Sequence, residues 1–279
     1  MKIGLGLPLH DPGVLLDWAR RADTGPFASV GLGDRVVYDN PEPLVALAAV
    51  AGATSRIRLQ TDVLLAPARE TVLLAKQVAT LDRVSGGRFT FGVGIGPRPD
   101  DFTATGQDYH RRGRRLDDQL ARMREIWSAG LPAGIGPAPS RPAGPELLIG
   151  GFSPQAVARA ARWGDGFISV SPADVTGMLF RAVEKSWEAA GRAGSPRLVT
   201  QVNAVLGPPD RIERGLASIA AYYRSLGPYA EKVLEDVLTT PEQLREAVTV
   251  HEGLGADEVV VYCWTTELDQ LDRIADATG

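Results

Sequence analysis

The chain has 279 residues, of which 44% are hydrophobic and 23% are charged, and its formal net charge is −4. This acidic balance argues against nucleic acid or an anionic membrane as a main partner, and no apolar run reaches the roughly 20 residues that a membrane helix needs. Cys263 is the only cysteine, and the chain opens on an apolar strand rather than a signal peptide, so we expect a reducing, cytoplasmic location.

Short apolar runs alternate with stretches of helical spacing along the whole chain. The runs expected to form strands are Lys2–Leu7, Phe27–Leu32, Arg56–Leu65, Arg88–Val93, Glu146–Ile149, Gly166–Val170, Arg197–Leu206 and Asp257–Tyr262. The stretches expected to form helices are Val14–Ala22, Pro41–Ala53, Arg69–Val84, Arg112–Ser128, Pro154–Trp163, Val175–Ala190, Ile212–Tyr223, Tyr229–Val237, Pro241–His251 and Glu267–Ala277. Each expected strand is therefore followed by at least one helix.

Eight such repeats predict an α/β fold, namely a (β/α)8 TIM barrel with short insertion loops. A doubly wound open sheet is the alternative, but it usually has fewer strands and a clearer glycine fingerprint after the first one. The proline- and glycine-rich stretch Leu131–Pro145 could pass for a domain linker. Because the β/α alternation resumes directly after it, we expect residues 1–279 to form a single domain that contains this stretch as an insertion.

The predicted fourth strand ends in a run of glycines, at the edge where parallel α/β proteins bind their ligands. The run superficially resembles a dinucleotide-binding fingerprint, but it lacks a third glycine at the right spacing, and Pro97 and Pro99 should prevent a helix from starting there. Two interpretations stay open: tight packing at a strand end, or close approach of a planar ligand to a main chain without Cβ atoms. The glycines are Gly92, Gly94 and Gly96. Arg112 and Arg115 on the following helix could tie that helix to them.

A second glycine turn follows the predicted fifth strand. Gly150 and Gly151 precede Ser153, which can cap the next helix, and main-chain N–H groups at such a positive helix end can hold a phosphate. Ser169 and Ser171 close the next strand and could add hydroxyl donors. The alternative is an ordinary, well-capped turn between a strand and a helix.

Charged side chains mark the ends of the first three predicted strands. Asp34 and Arg35 follow the second strand, a position that indicates function in a barrel, although an ion pair with a neighbouring loop would explain them equally well. His10 follows the first strand and is a candidate catalytic group. Asp62, between Thr61 and Val63, is a charge among apolar residues at the end of the third strand, and it requires a partner.

Side chains for catalysis without a cofactor are scarce. The sequence shows no Ser/His/Asp order, no metal-ligand spacing among its three histidines and no candidate Schiff-base lysine, so no metal site is expected. A barrel rim with so few acid/base groups suggests that a bound cofactor supplies the chemistry.

Four blocks of the sequence, in order, carry a resemblance to a known family. They are TSRIRLQTDVLL, AKQVATLDRVSGGRFTFGVGIG, TGQDYHRRGRRLDDQLARMREIW and LLIGGFSPQAVARAARWGDGF. With these blocks the chain resembles, over nearly its whole length, the bacterial luciferase-like family of flavin- and deazaflavin-dependent oxidoreductases.

The resemblance implies a barrel that holds the ring of FMN or of the deazaflavin coenzyme F-420 at the carboxyl ends of its strands. It implies a non-prolyl cis peptide at Asp62-Val63 behind the ring, and a phosphate held near the fifth and sixth strands. The cofactor-binding residues that it implies are Asp34, Thr61, Asp62, Val63, Gly94, Ile95, Gly150, Gly151, Ser169 and Ser171. Family members are often dimers, so a homodimer is also an expectation.

Departures from the family patterns exclude two activities. Deazaflavin-dependent sugar-phosphate dehydrogenases carry a histidine where this chain has Arg35, a glutamate near Pro97 and a lysine near Ala173, so that activity is not expected. Bacterial luciferases carry an arginine and a cysteine where this chain has Ile95 and Gly94, so bioluminescence is not expected either.

We therefore expect a flavin- or deazaflavin-dependent oxidoreductase or monooxygenase that acts on a small organic substrate, with Arg35 and His10 as the catalytic polar groups that face it. The first alternative is a non-catalytic flavin-binding or ligand-sensing barrel that has lost its acid/base residues. The second is a cofactor-free lyase on the same barrel, against which the scarcity of lysines and metal ligands counts.

Overall fold

A computed structural model describes residues 1–8, 11–128 and 134–279 of the chain, and its strands are all paired in parallel. The strands are β1 (Lys2–Gly6), β2 (Ser29–Leu32), β3 (Arg58–Thr61), β4 (Leu64–Leu65), β5 (Phe89–Gly94), β6 (Glu146–Gly150), β7 (Gly166–Ser169), β8 (Arg197–Ala204) and β9 (Glu258–Cys263). Their order is β3-β2-β1-β9-β8-β7-β6-β5-β4, and a further pairing of β3 with β5 closes the sheet into a barrel. The predicted (β/α)8 barrel is confirmed.

Helices surround the barrel. Those of the described residues are α1 (Leu15–Thr24), α2 (Pro43–Ala53), α3 (Thr71–Val84), α4 (Pro99–Thr105), α5 (Arg112–Ser128), α6 (Pro154–Trp163), α7 (Ala173–Ala189), α8 (Pro209–Tyr223), α9 (Pro228–Glu235), α10 (Pro241–Gly253) and α11 (Asp269–Thr278). None of them is long and apolar enough to cross a membrane. The strands are buried because the helices cover their outer face and side chains fill the barrel.

β3 and β4 together form the third barrel strand, which the sequence analysis predicted as one run. Gln60 pairs with Thr90 and Leu64 pairs with Val93, so three residues lie opposite two on β5. One extra residue of this kind is a bulge, which re-aims the chain locally. The Asp62-Val63 peptide within the bulge is cis, as the family resemblance implied.

The inside of the barrel is layered. At the amino ends of the strands, Arg197 pairs with both Glu146 and Glu258, and Arg58 pairs with Glu146. Above these charges lies an apolar layer, against which Val63 packs. Its members are Leu148, Ile168, Val199, Val260 and Tyr262.

One expectation about the glycine loop after β5 is wrong. Pro97 and Pro99 were expected to prevent a helix there, yet α4 begins at Pro99. Proline suits the first helical position, because the N–H that it lacks has no partner within the helix anyway. Gly106, with φ of 68°, then ends α4 in the left-handed conformation. The short helix supplies an aspartate to the candidate site.

An excursion of the chain separates β8 from α10. Val205 donates its main-chain N–H to Leu238 O at 2.9 Å, and Leu238 donates to Asn203 O at 2.9 Å. The chain therefore leaves the barrel and returns to it at the same point, and the excursion in between contains α8 and α9. These two helices correspond to the helices predicted at Ile212–Tyr223 and Tyr229–Val237.

Candidate active site

Most of the predicted site residues meet where the strands end at the carboxyl edge of the barrel. Thr61 donates its hydroxyl to Gly92 O at 2.7 Å, and Asp34 Oδ2 accepts the main-chain N–H of Leu65 at 2.9 Å. The ends of β2, β3, β4 and β5 are thus held together around the bulge. His10 lies outside the described residues, so its role stays a prediction.

The glycines of β5 and β6 make room for the bulge. A Cβ atom on Gly94 would lie 2.7 Å from Val63 Cγ2, and one on Gly150 would lie 2.9 Å from Val63 Cγ1. On Gly92, a Cβ would lie 2.0 Å from Thr61 O. Of the two interpretations, tight packing therefore explains Gly92 and Gly94, because Val63 and the bulge backbone fill the space that their Cβ atoms would need. Close approach of a planar ligand to their main chain stays a prediction. The side chain of Ile95 packs against the main core.

Asp34 is part of a buried ion pair that supports the bulge. Arg69 donates to Asp34 Oδ2 at 2.8 Å and to Glu42 Oε1 at 2.6 Å. Burial raises the pKa of the Asp34 carboxyl, while the Arg69 charge opposes that shift. Asp34 thus fixes the end of β4 through Leu65, and its charge is paired with Arg69.

Arg35 is held by the helix that sequence reasoning missed. Its Nε donates to Asp101 Oδ2 at 2.9 Å, and Asp101 Oδ1 accepts the N–H groups of Val36 and Val37 at 3.0 and 2.8 Å. Arg35 is 7% exposed, and its Nη1 has no hydrogen-bond partner among the described residues. The ion pair with a neighbouring loop is therefore the interpretation that the geometry favours. The proline followed by two aspartates was the available sequence signal for Asp101.

An aromatic cluster from the excursion lies beside Arg35. The ring of Tyr222 on α8 meets the rings of Tyr38 and Trp264 edge to face, with centroids 5.0 and 5.1 Å apart. The Arg35 guanidinium lies 5.8 Å from the centre of the Tyr222 ring. Helix α8 is therefore anchored to the loops that follow β2 and β9. The sequence showed the tyrosines but not that the excursion folds back onto the barrel edge.

The second glycine turn begins α6. Ser153 caps the helix by accepting the Ala156 N–H at 3.3 Å, and Gly151 has a φ of 150°, which other residues rarely adopt. In the next loop, the Ser169 hydroxyl pairs with Thr176 Oγ1 at 2.8 Å and accepts the N–H of Ser171. The turn is well capped, while Ser169 is already engaged. A phosphate role for these residues stays a prediction.

Arg112 ties α5 to the glycine loop, as predicted, by donating to Gly96 O at 3.0 Å. Arg115 instead donates to Pro67 O at 2.9 Å, in the segment that follows β4. Outside the barrel, an open groove of about 480 Å³ lies between α3 and α5. Its lining includes Thr71, Asp108, Arg111, Arg114, Arg115 and Arg122. The groove is separate from the bulge and the residues around it.

Asp62 and Tyr262 meet inside the barrel, next to the bulge. Tyr262 donates its hydroxyl to Asp62 Oδ2 at 3.2 Å, and Asp62 Oδ1 has no partner among the described residues. Burial raises the pKa of Asp62 to about 7, and the charge of Glu258 adds to that shift. The apolar neighbours of Asp62 in the sequence indicate that it needs a partner, but nothing in the sequence indicates that the partner is a tyrosine 200 positions away.

Comparisons with known proteins agree on the fold and on a family. A family model described as luciferase-like monooxygenase matches residues 5–252. An uncharacterised protein of Mycobacterium tuberculosis is 34% identical over 186 residues, which make up 62% of this chain and 64% of that relative. The match thus spans a little under two thirds of the relative's length.

Two solved structures share the fold over almost the whole of both chains. An F420-dependent secondary alcohol dehydrogenase, in complex with an F420-acetone adduct, superposes with a TM-score of 0.86 at 16% identity, over 99% of this chain and 97% of that one. The oxygenating constituent of 3,6-diketocamphane monooxygenase from Pseudomonas putida, in complex with FMN, does so with a TM-score of 0.75 at 19% identity, over 100% and 99% of the two chains.

Proposed function

The chain belongs to the family of luciferase-like monooxygenases, and on that premise we propose that it binds FMN or the deazaflavin coenzyme F-420 at the carboxyl end of its barrel and oxidises or reduces a small organic substrate. The observation that carries this proposal is the bulge at Asp62-Val63, for which the glycines of β5 and β6 make room and beside which the Asp34–Arg69 pair holds β4. Solved proteins of the same fold hold an F420 adduct or FMN, which supports a cofactor of this class.

The residues at this end of the barrel fit a polar ring with a phosphate. Asp62 Oδ1, Arg35 Nη1 and Gln201 Oε1 are buried polar atoms without partners among the described residues, and the ring system of a flavin offers both donors and acceptors. A bound ring would supply the hydride and electron transfer that protein side chains cannot perform.

Each supporting residue has a proposed role. Val63 forms the surface behind the ring, while Gly150 and Gly151 at the amino end of α6 hold the phosphate. Tyr222 covers the site from α8 and excludes water. Arg35 acts as a positioning residue, because it joins Asp101 of α4 to the loop after β2.

We also propose that the chain forms a single domain, works as a homodimer in the cytoplasm and catalyses a monooxygenase reaction. Both FMN and the deazaflavin are candidate cofactors, and the substrate is proposed only as a small organic molecule. Ser169, Ser171, Thr61 and Ile95 likewise remain proposed cofactor neighbours, and His10 a proposed substrate contact.

Titration of the purified protein with each cofactor, followed by fluorescence or absorbance, tests the proposal. We expect FMN or coenzyme F-420 to bind, and if FMN is the ligand, riboflavin should bind at least tenfold more weakly, a loss of about 1.4 kcal/mol or more. Riboflavin is the matched control because it lacks only the phosphate. Absence of binding of either cofactor at concentrations of about tens of micromolar would contradict the proposal.

A non-catalytic flavin-binding barrel is the second candidate. The pairing of Arg35 with Asp101 favours it, because a guanidinium neutralised in this way has less charge to offer a substrate. Binding of a cofactor without turnover, with electron donors, oxygen and a substrate panel supplied, would support this candidate over the enzyme.

A further inference from the structure

Glycines on two neighbouring strands make room for the side chains of Asp62 and Tyr262 inside the barrel. A Cβ atom on Gly31 of β2 would lie 1.7 Å from Asp62 Oδ2, and one on Gly6 of β1 would lie 2.3 Å from Tyr262 Cγ. Any side chain larger than hydrogen at Gly31 would overlap Asp62, and any at Gly6 would overlap Tyr262. A carboxyl and a phenol are thus built into the barrel interior, where the same positions could have held two apolar side chains.

This carboxyl lacks the compensation that buried charges usually have. Asp62 is 9% exposed, its Oδ2 accepts the Tyr262 hydroxyl, and its Oδ1 has no hydrogen-bond partner among the described residues. The neighbouring Gln60 side chain opposes the rise in the pKa of Asp62, but it carries no charge. Asp34, by contrast, has both the Arg69 guanidinium and the Leu65 N–H. An isolated carboxylate in an apolar site is costly, so such a group tends to hold a proton instead.

The charged and titratable groups that face Asp62 are few. Glu258 of β9 and Arg197 of β8 act on it from the layer below, with opposite signs. Arg197 is itself committed to Glu146 and Glu258. The neighbouring positions on β1 and β2 are glycines and contribute no charge.

Tyr262 serves as a fixed donor. Burial holds the pKa of its hydroxyl well above the ordinary value, and the Asp62 charge adds to that shift. The phenols of Tyr222 and Tyr223 on α8 are the titratable groups beyond it. Tyr262 therefore keeps its proton at neutral pH, and Asp62 is the member of the pair that exchanges one.

Asp62 directly precedes Val63, the residue that we propose lies behind the ring. Val63 lies between Gly94 and Gly150 at the carboxyl edge, and Asp62 turns from the same bulge into the barrel. A negative charge placed on a ring at Val63 would thus act on the Asp62 carboxyl through a medium of low dielectric, where the interaction between charges is strong.

Resting on the proposed function, we propose that Asp62, with Tyr262 as its hydrogen-bond donor, is the proton-exchanging group behind the ring surface. If reduction placed negative charge on a bound ring, the Asp62 carboxylate would take one proton from solvent and form an O–H bond at Oδ1. On removal of that charge, the bond would break and the proton would return to solvent. The electrons belong to the ring's own oxidant and reductant, and Asp62 changes only its protonation.

The test is the midpoint potential of the bound cofactor as a function of pH, measured with FMN, or with coenzyme F-420 if only that binds. In the wild type, the potential should fall more steeply with pH in the range where Asp62 titrates, because reduction takes up an additional proton there. Asp62→Asn should remove the steeper segment. Tyr262→Phe should move it to higher pH, because loss of the donor favours the protonated carboxyl.

Two measurements separate this role from a structural one. Asp82→Asn is the matched control, because Asp82 is also a buried aspartate but accepts the Ser140 N–H away from the bulge; it should keep the wild-type profile. In the cofactor-free protein, infrared difference spectra across neutral pH should show a protonated carboxyl that Asp62→Asn lacks.

The outcomes are distinct. A cofactor that binds to the wild type with an unchanged potential–pH profile in Asp62→Asn would overturn the role of Asp62 and leave the proposed function intact. A carboxyl band that persists in that variant would do the same. If neither cofactor binds to the wild type, the proposed function fails, and the role of Asp62 fails with it.

Discussion

Buried charged side chains are paired with opposite charges at the amino end of the barrel interior, but Asp62 at its carboxyl end has no such partner among the described residues. At the amino end, Arg197 bridges Glu146 and Glu258, and Arg58 completes the set. At the carboxyl end, Asp62 has a phenol and no cation. The first arrangement fixes protonation states and holds the strands in register. The second leaves one carboxyl free to change its protonation near neutral pH, which is a property of functional sites rather than of scaffolds.

The largest effect should come from breaking the amino-end network. Arg197→Met would leave Glu146 and Glu258 buried without their main cation, at a cost of about 3–5 kcal/mol in the free energy of unfolding. Urea denaturation measures this. Arg214→Met is the matched control, because Arg214 also bridges two carboxylates, Asp210 and Glu267, but on the surface. Equal losses in the two variants would mean that burial of the network does not matter.

At the carboxyl end, the expected effect is a dependence of the free energy of unfolding on pH. The pKa of Asp62 in the folded protein, about 7, lies above the ordinary 3.8, so the folded state holds this proton more tightly than the unfolded chain does. Its contribution to stability is complete below the lower value and is lost as pH rises to the higher one. Relative to Asp62→Asn, the wild type should lose about 1.4 kcal/mol per pH unit in that interval. Parallel stability–pH curves for the two proteins would contradict the assignment.

A smaller effect should follow from filling the space that Val63 occupies. Gly94→Ala places a Cβ 2.7 Å from Val63 Cγ2, and overpacking of this kind costs about 1–3 kcal/mol. Gly52→Ala is the control, because a Cβ there meets nothing within 4 Å and alanine favours the helix. Adding Val63→Ala should recover part of the loss. Additive effects of the two changes would show that Gly94 does not serve the bulge.

The smallest effect concerns the helix cap. Ser153→Ala removes the side-chain acceptor of the Ala156 N–H, which also donates to Ser153 O at 2.9 Å, and should destabilise the protein by about 1 kcal/mol. If α6 holds the phosphate, the same change should lower the affinity for FMN more than that for riboflavin. An equal change for both ligands would assign Ser153 to the helix alone.

The sequence was sufficient to predict the barrel because its information is local and repeated. Each apolar run and each helical period indicates one element, and eight repeats favour a closed barrel over a doubly wound open sheet. The bulge at Asp62-Val63 came from the family resemblance rather than from the residues themselves. Its glycines were identified too, but their purpose was not, since only the fold shows that Gly94 and Gly150 face Val63.

What the sequence could not show are contacts across long separations. The Tyr262–Asp62 hydrogen bond joins residues 200 positions apart. The Arg35–Asp101 pair depends on α4, although Pro97 and Pro99 predict that no helix starts there. Tyr222 reaches the site because the excursion after β8 returns to its starting point. No periodicity or spacing in the chain encodes these approaches.

The most direct test is a crystal structure of the protein with FMN or coenzyme F-420 bound. We expect electron density for the ring against Val63, in front of Asp62, with the phosphate at Gly150 and Gly151. Density for the cofactor only in the arginine-rich groove between α3 and α5, with none at the bulge, would contradict it.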